Sequence, residues 1–125
     1  MLSNERDINR LKDIIRYCDK IDKTLERLKY DHEDFLYDED LQQSISFSLA
    51  QIGELCRHVS DEYKSETSNK IPWQSIVSFR NMIAHEYNRA IFDIDVVWQT
   101  ATSDVNLLKK FCESELAETE NAKGL

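Results

Sequence analysis

The sequence has very little glycine and proline: Gly53, Gly124 and Pro72 are the only such residues among 125. Folds built from short strands need turn residues about every 8–12 positions, and α/β folds need several glycine-bearing loops. The scarcity therefore argues against both classes. Hydrophobic residues make up 41% of the chain and charged residues 32%, a balance typical of amphipathic helices with solvated outer faces. These features predict an all-α fold.

Long apolar segments and paired cysteines are also missing. No window approaches 18 apolar residues, and the N-terminus has no signal-peptide core. The three cysteines, Cys18, Cys56 and Cys112, are far apart and odd in number, and each falls among apolar helix positions. Such cysteines are typical of buried free thiols in a reducing compartment. We therefore expect a cytoplasmic protein with no membrane association.

Positive charge is in short supply, since the net charge is −8. Phosphate-binding proteins usually carry a basic surface, so a protein that coats RNA is disfavoured. Residues 1–40 carry 12 acidic and 8 basic side chains, residues 41–90 carry 5 of each, and residues 91–125 carry 7 and 3. The acidity lies at the two ends of the chain. A local site in the neutral middle that contacts a few phosphates remains compatible with this distribution.

Apolar residues recur at steps of three and four along the chain, which predicts helices. The first helix is expected over about Asn4–Leu28 and the second over about Asp38–Tyr63. The third follows Pro72 and runs through Tyr87, and the fourth starts near Asp93 and continues to Cys112. We expect residues 1–112 to form one helical bundle and the acidic segment 113–125 to be a frayed tail.

Gly53 lies inside the second predicted helix, beside its apolar stripe. A glycine there costs about 1 kcal/mol relative to alanine. We therefore expect a packing reason, namely the close approach of another helix at this point.

Two residues of the third helix break its apolar pattern. Arg80 lies on the apolar stripe, where a guanidinium is expensive to bury unless it is paired, for example with Glu54 or Glu86. His85 follows five positions later, which in an ideal helix is roughly 140° away. Asn81 and His85, at i and i+4, would share a face. Either the helix is distorted before His85, or a second chain completes the site.

The segment Arg80–Tyr87 resembles the R-N-x-x-x-H-x-Y signature of the HepT-like HEPN toxins. The flanking residues are similar too: Ile71–Trp73 leads in, Phe79 precedes the arginine, and Val97–Trp98 opens the next helix. Upstream, Ile52–Glu54 is similar to the family's I-G-E on its second helix. The resemblance extends from the first helix to about residue 111.

This resemblance implies an antiparallel bundle of four to five helices that forms a homodimer, with the two Arg80–His85 pairs in a shared cleft. It implies a metal-independent endoribonuclease that needs no cofactor and has RNA as its substrate. It also implies a partner, a nucleotidyltransferase antitoxin of the MNT type, which neutralises such toxins by transferring AMP to the tyrosine, here Tyr87.

The residue types suit this chemistry. An imidazole can take or give protons at neutral pH, so His85 would act as base or acid. The planar guanidinium of Arg80 suits phosphate oxygens. Asn81 would orient the phosphate or the imidazole, and Glu54 would hold Arg80 in place. Tyr87 would be the AMP acceptor.

Other interpretations remain open. Tyr87 also fits an ordinary core aromatic residue. Arg57, His58 and Arg89 would either add positive charge near the cleft or lie solvated on the surface. The chain as a whole could be a non-catalytic binding partner and modification substrate of the nucleotidyltransferase, or a helical scaffold in which Arg80 and His85 are structural.

Overall fold

The computed structural model describes residues 2–87 and 92–123, and in these segments the chain is helical with no strand. The all-α prediction is confirmed. The helices are α1 (Glu5–Arg27), α2 (His32–Leu36), α3 (Glu39–His58), α4 (Asp61–Glu66), α5 (Trp73–Glu86), α6 (Ile94–Gln99) and α7 (Val105–Lys123), with a π-helical turn, Thr100–Asp104, between the last two.

Helix α1 forms the centre of the core, and its predicted bounds are confirmed. Asn4 caps it by accepting hydrogen bonds from the amides of Arg6 and Asp7. Its seam of buried side chains has the predicted spacing of three and four residues. The fully buried members are Leu11, Ile14, Cys18, Ile21 and Leu25.

The long helices run antiparallel. Asp7 at the start of α1 meets Ser60 just after α3. Lys109 near the start of α7 binds Asp19 and Asp22 in the second half of α1. Helix α3 lies between α1 and α5, and α7 packs on α1. The predicted antiparallel bundle is therefore confirmed.

The second predicted helix ends earlier than expected, at His58 instead of Tyr63. Val59 is extended, and the Ser60 side chain caps a separate short helix, α4, by accepting from the Tyr63 amide. The buried Asp7 carboxylate fixes this break, because it accepts hydrogen bonds from the Ser60 amide at 2.9 Å and from its hydroxyl at 2.6 Å.

Helix α5 begins at Trp73, as predicted from Pro72, and the Trp73 indole is buried. Its Nε1 donates to the Thr67 hydroxyl at 2.9 Å. The ring packs edge-on against Phe111 of α7, with centroids 6.0 Å apart. These contacts hold the start of α5 in place.

The last predicted helix does begin after an Asp93 cap, but it is not uniform. A π-helical turn interrupts it, and three hydroxyls there, of Thr100, Thr102 and Ser103, donate to carbonyls four residues back. Hydroxyl bonds of this kind compete with the regular ladder and bend helices.

The expectation of a frayed tail from Glu113 is wrong, because α7 continues to Lys123. Two long-range contacts hold it. The Tyr63 hydroxyl donates to Glu115 at 2.5 Å, and the buried Thr119 hydroxyl lies 3.3 Å from the Leu2 carbonyl. These two contacts join residues far apart in the chain, so they were not predictable from the acidic composition of the tail.

The three cysteines are buried free thiols. Burial raises the pKa of Cys18 and of Cys56 to about 12 and also raises the pKa of Cys112. All three are therefore protonated and unreactive at neutral pH. Within the described segments, no helix is both long enough and apolar enough to cross a membrane.

Candidate active site

Gly53 of α3 brings Arg80 of α5 into the site. A Cβ added to Gly53 would overlap the Arg80 Cβ, lie 2.9 Å from its Cγ and stand 3.3 Å from the Ile76 carbonyl. Only a glycine lets the two helices approach this closely, which explains its place inside a helix. The packing reason expected from the sequence is thus the stem of Arg80.

Glu54, the next residue of α3, holds the guanidinium. Its Oε2 lies 3.4 Å from the Arg80 Nε, while its Oε1 lies 3.1 Å from Arg57 Nη2 and 3.0 Å from His58 Nε2. The hydrogen bond with His58 lowers the pKa of the Glu54 carboxyl, burial opposes this, and Arg57 and Arg80 lower it further. Glu54 is therefore an anion at neutral pH.

The Arg80 side chain is 34% exposed, so part of it is open to solvent. Nη1 donates to the Asn81 side-chain oxygen at 3.2 Å. Since Glu54 engages Nε, the two Nη groups keep donors for another ligand. Arg80, Asn81 and Glu54 therefore form one cluster, in which the contact between Arg80 and Glu54 is one of the two pairings that the sequence offered.

His85 does not join this cluster within one chain. Helix α5 is regular from Trp73 to Glu86, so the distortion considered as one alternative does not occur. Five residues of regular helix place His85 roughly 140° around the axis from Arg80. The His85 side chain is exposed, as is that of Asn81 on the same face. The structure therefore leaves His85 free to meet groups from outside this chain.

Tyr87 follows the end of α5, seven residues beyond Arg80, and lines an open cleft between α1, α3 and α5. Its ring is half-buried and lies 5.2 Å from that of Phe92. Burial raises the pKa of the Tyr87 phenol, the charge of Glu39 adds to this, and the Ser46 hydroxyl opposes it. Tyr87 is therefore a neutral hydroxyl at the wall of a cleft rather than a core aromatic.

The positions of the flanking cations are now clear in part. Arg57 and His58 are exposed, and both bind the Glu54 carboxylate that also contacts Arg80, so they lie beside the Arg80 site. Their spacing of three and four residues from Glu54 was the available signal. Arg89 lies outside the described residues.

The cleft itself was not predicted from the sequence, because its cations are on α1, far away along the chain. Lys20, Lys23 and Arg27 line it, at steps of three and four on the side of α1 away from the buried seam. That spacing was a visible sign of a basic stripe. Among all the residues that the structure describes, no group of three or more His, Cys, Asp or Glu side chains could bind a metal ion.

Comparison with known proteins identifies the family of the chain. The family model described as "Ribonuclease HepT-like" matches residues 14–115. The chain therefore belongs to the HepT-like ribonuclease family of the HEPN type. It is an endoribonuclease by that membership.

Individual relatives point the same way. "Putative RNase TTE0752" of Caldanaerobacter subterraneus subsp. tengcongensis is 31% identical over 101 residues, which cover 80% of this chain and 85% of that protein. "Putative RNase MJ1380" of Methanocaldococcus jannaschii is 28% identical over 85 residues, or 66% of this chain and 73% of the relative. No solved structure matches the chain.

Proposed function

We propose that this endoribonuclease is the toxin of a HEPN/MNT toxin–antitoxin module and that it cleaves RNA without a metal, using Arg80 and His85 at a homodimer cleft. The observation that carries the proposal is the clamp on Arg80: Glu54 Oε2 lies 3.4 Å from its Nε, while the Arg80 side chain stays 34% exposed. Such a fork is pre-oriented for phosphate oxygens.

The reaction uses the nucleophile that RNA itself carries. One imidazole takes the proton from the 2′-hydroxyl, whose oxygen attacks the adjacent phosphorus as the bond to the 5′-oxygen breaks. A second imidazole returns a proton to that leaving oxygen. Arg80 stabilises the negative charge that builds on the phosphoryl oxygens, and Asn81 orients the phosphate.

A second copy of the chain supplies the missing geometry. One chain has a single histidine on α5, and the regular helix turns it away from Arg80. Two chains related by a twofold axis provide two imidazoles and two guanidinium groups in one cleft. The exposure of His85 and Asn81 on one face of α5 supports this arrangement.

Tyr87 is the site at which an MNT-type nucleotidyltransferase antitoxin transfers AMP. In this step the phenol oxygen bonds to the α-phosphorus of ATP, and pyrophosphate leaves. Because the pKa of the phenol is raised, the partner enzyme must supply the base that removes its proton. The added nucleotide brings bulk and negative charge to the site and repels RNA. We place this system in the cytoplasm, where the three free thiols stay reduced.

Cleavage of RNA in EDTA tests the catalytic roles. We expect Arg80→Ala and His85→Ala each to lower kcat by about 100-fold or more, with an unchanged helical circular dichroism spectrum. The controls are Arg6→Ala and His32→Ala, which remove exposed side chains outside α5. Normal cleavage by either site variant would refute the assignment.

A second function is favoured by the net charge of −8, which suits docking to a basic protein better than binding to RNA. In this alternative the chain is a non-catalytic partner and modification substrate of the nucleotidyltransferase. Mass spectrometry after incubation with that enzyme and ATP tests it. An AMP adduct on Tyr87 without any RNA cleavage would favour the alternative, and an adduct elsewhere would refute the choice of Tyr87.

A further inference from the structure

The cleft beside Tyr87 plays no part in the proposed RNA cleavage at Arg80 and His85. It has a volume of about 910 Å³ and is bounded by the second half of α1, the first half of α3 and the end of α5. This volume is at the upper end of the range found for sites that hold small organic ligands, so it can accommodate a nucleotide.

The cations of this cleft carry no ion pair within the described segments, although the chain is strongly acidic. Lys20, Lys23 and Arg27 are all exposed and point along one stripe. By contrast, Lys109 on the other side of α1 is held by Asp19 at 2.7 Å and Asp22 at 3.3 Å. The cleft therefore combines three uncompensated positive charges with one lining carboxylate, that of Asp40.

Aromatic and polar groups complete the walls. Phe47 is 59% exposed at the rim, an unusual position for a large apolar side chain. Ser46 is buried, with 3% exposure, and its hydroxyl acts on the Tyr87 phenol at the wall of the cleft.

The cleft and the Arg80 site lie on the same helix, α3. Phe47 precedes Glu54 by seven residues, so the two side chains lie on one face of α3, about 10.5 Å apart along its axis. Glu54 binds Arg80 at the far end of this face. A strand held at Arg80 can therefore extend along α3 and reach the cations of α1.

We propose that this cleft binds the single-stranded RNA that flanks the scissile bond, with Lys20, Lys23 and Arg27 contacting phosphates and the Phe47 ring stacking on a base. A basic groove combined with exposed aromatic rings is how proteins hold single strands without reading their sequence. This assignment rests on the ribonuclease site at Arg80 and His85 and names the form of RNA that it takes.

Binding of an uncleavable RNA tests the proposal separately from catalysis. The probe is a fluorescein-labelled single strand of about 12 nucleotides, 2′-O-methylated throughout, and the readout is fluorescence anisotropy. We expect Phe47→Ala to raise Kd about 5- to 150-fold, the loss of one stacked base. The control is Leu107→Ala, which removes an apolar side chain that is 67% exposed and outside the cleft.

The cations are tested by salt dependence, which a purely structural role would not change. Replacing Lys20, Lys23 and Arg27 together by alanine should reduce the slope of log K against log salt concentration by about 2, since each phosphate contact on a single strand contributes about 0.7. The single variant Lys23→Glu should weaken binding in the same direction, should the triple variant fail to fold.

A matched triple variant controls for lost charge. Arg6, Lys12 and Lys110 are exposed and lie outside the cleft, and their replacement by alanine should leave the slope within about 0.7 of the wild type. Unchanged Kd and slope in the cleft variants would overturn the proposal. The proposal would also be overturned if the cleft variants changed only the stability of the AMP group attached to Tyr87 and left the Kd for RNA unchanged.

Failure of the cleft and failure of the catalytic assignment give different results. If His85→Ala abolishes cleavage while the cleft variants bind RNA normally, the ribonuclease site stands and the cleft assignment is wrong. If the cleft variants lose RNA affinity while His85→Ala still cuts, the cleft stands and the role of His85 is wrong.

Discussion

Replacing Gly53 by alanine tests how the site is assembled. In an exposed helix this substitution stabilises by about 1 kcal/mol, because alanine has the higher helix propensity. Here the new Cβ would overlap the Arg80 Cβ and lie 3.3 Å from the Ile76 carbonyl. Neither neighbour can rotate away, because the Ile76 carbonyl is part of the backbone and the Arg80 Cβ is bonded directly to its own Cα. Helices α3 and α5 must therefore move apart.

The magnitude follows from two opposing effects. Overpacking of this kind costs about 1–3 kcal/mol, and the rigid neighbours place the cost near the upper limit. Subtracting the gain in propensity leaves a net loss of about 2 kcal/mol in the free energy of unfolding. Separation also lengthens the 3.4 Å contact between Glu54 and Arg80, so we expect kcat/KM to fall by about 100-fold.

Urea unfolding followed by circular dichroism measures the first effect and RNA cleavage the second. Arg80→Gly removes the obstructing Cβ, so adding Gly53→Ala to that variant should cost far less than it does in the wild type. Gln43, exposed on α3, provides the reference when replaced by glycine and by alanine. At position 43 the alanine variant should be more stable than the glycine variant. If Gly53→Ala alone raised stability by the same amount, the close approach of the helices would be refuted.

Three further perturbations probe the clamp and its supports. The pKa of Glu54 is lowered in the folded chain, so the stabilisation from its charged form is complete above the ordinary value of 4.5 and is lost as the pH falls through the folded value. Glu54→Gln should therefore flatten the dependence of the free energy of unfolding on pH in this acidic range. An unchanged pH profile would contradict the clamp. Tyr63→Phe removes the hydrogen bond to Glu115 and should lower the free energy of unfolding, measured by urea titration, by about 1.5–3 kcal/mol. An unchanged free energy of unfolding would show that this bond does not anchor α7. Lys29 has a positive φ of 53°, so Lys29→Gly should raise the thermal midpoint through a gain of about 0.5–1 kcal/mol, and a lower midpoint would refute the strain.

Local patterns in the sequence were enough for the main helices. The seam of α1 repeats at three and four residues over its whole length, and Asn4 and Asp93 have the cap chemistry that begins a helix. The end of α3 was not predictable in the same way. Its break at Val59 depends on Asp7, which is 53 positions away from Ser60 in the chain.

One part of the candidate site was likewise predictable from local sequence patterns, and another part was not. The pairing of Arg80 with Glu54 was predictable, because an arginine on an apolar stripe needs a carboxylate and a helical glycine marks where another helix approaches. The cleft was not, because the cations of α1 meet Tyr87 only after α1, α3 and α5 have packed. Periodicity locates such a stripe on one helix but does not say which helix lies opposite.

The acidic character of the chain and its activity on RNA are reconciled by where the positive charges are placed. Arg57 and Arg80 share the single carboxylate of Glu54, so the site retains a net positive charge within a chain of net charge −8. Long-range attraction of RNA is then weak, and affinity must come from short-range contacts at the fork and along the cleft. A duplex hides its bases from such contacts, whereas an unpaired segment exposes both bases and phosphates. We therefore expect the proposed cleft to prefer single-stranded RNA through these short-range contacts and not through reading of the base sequence.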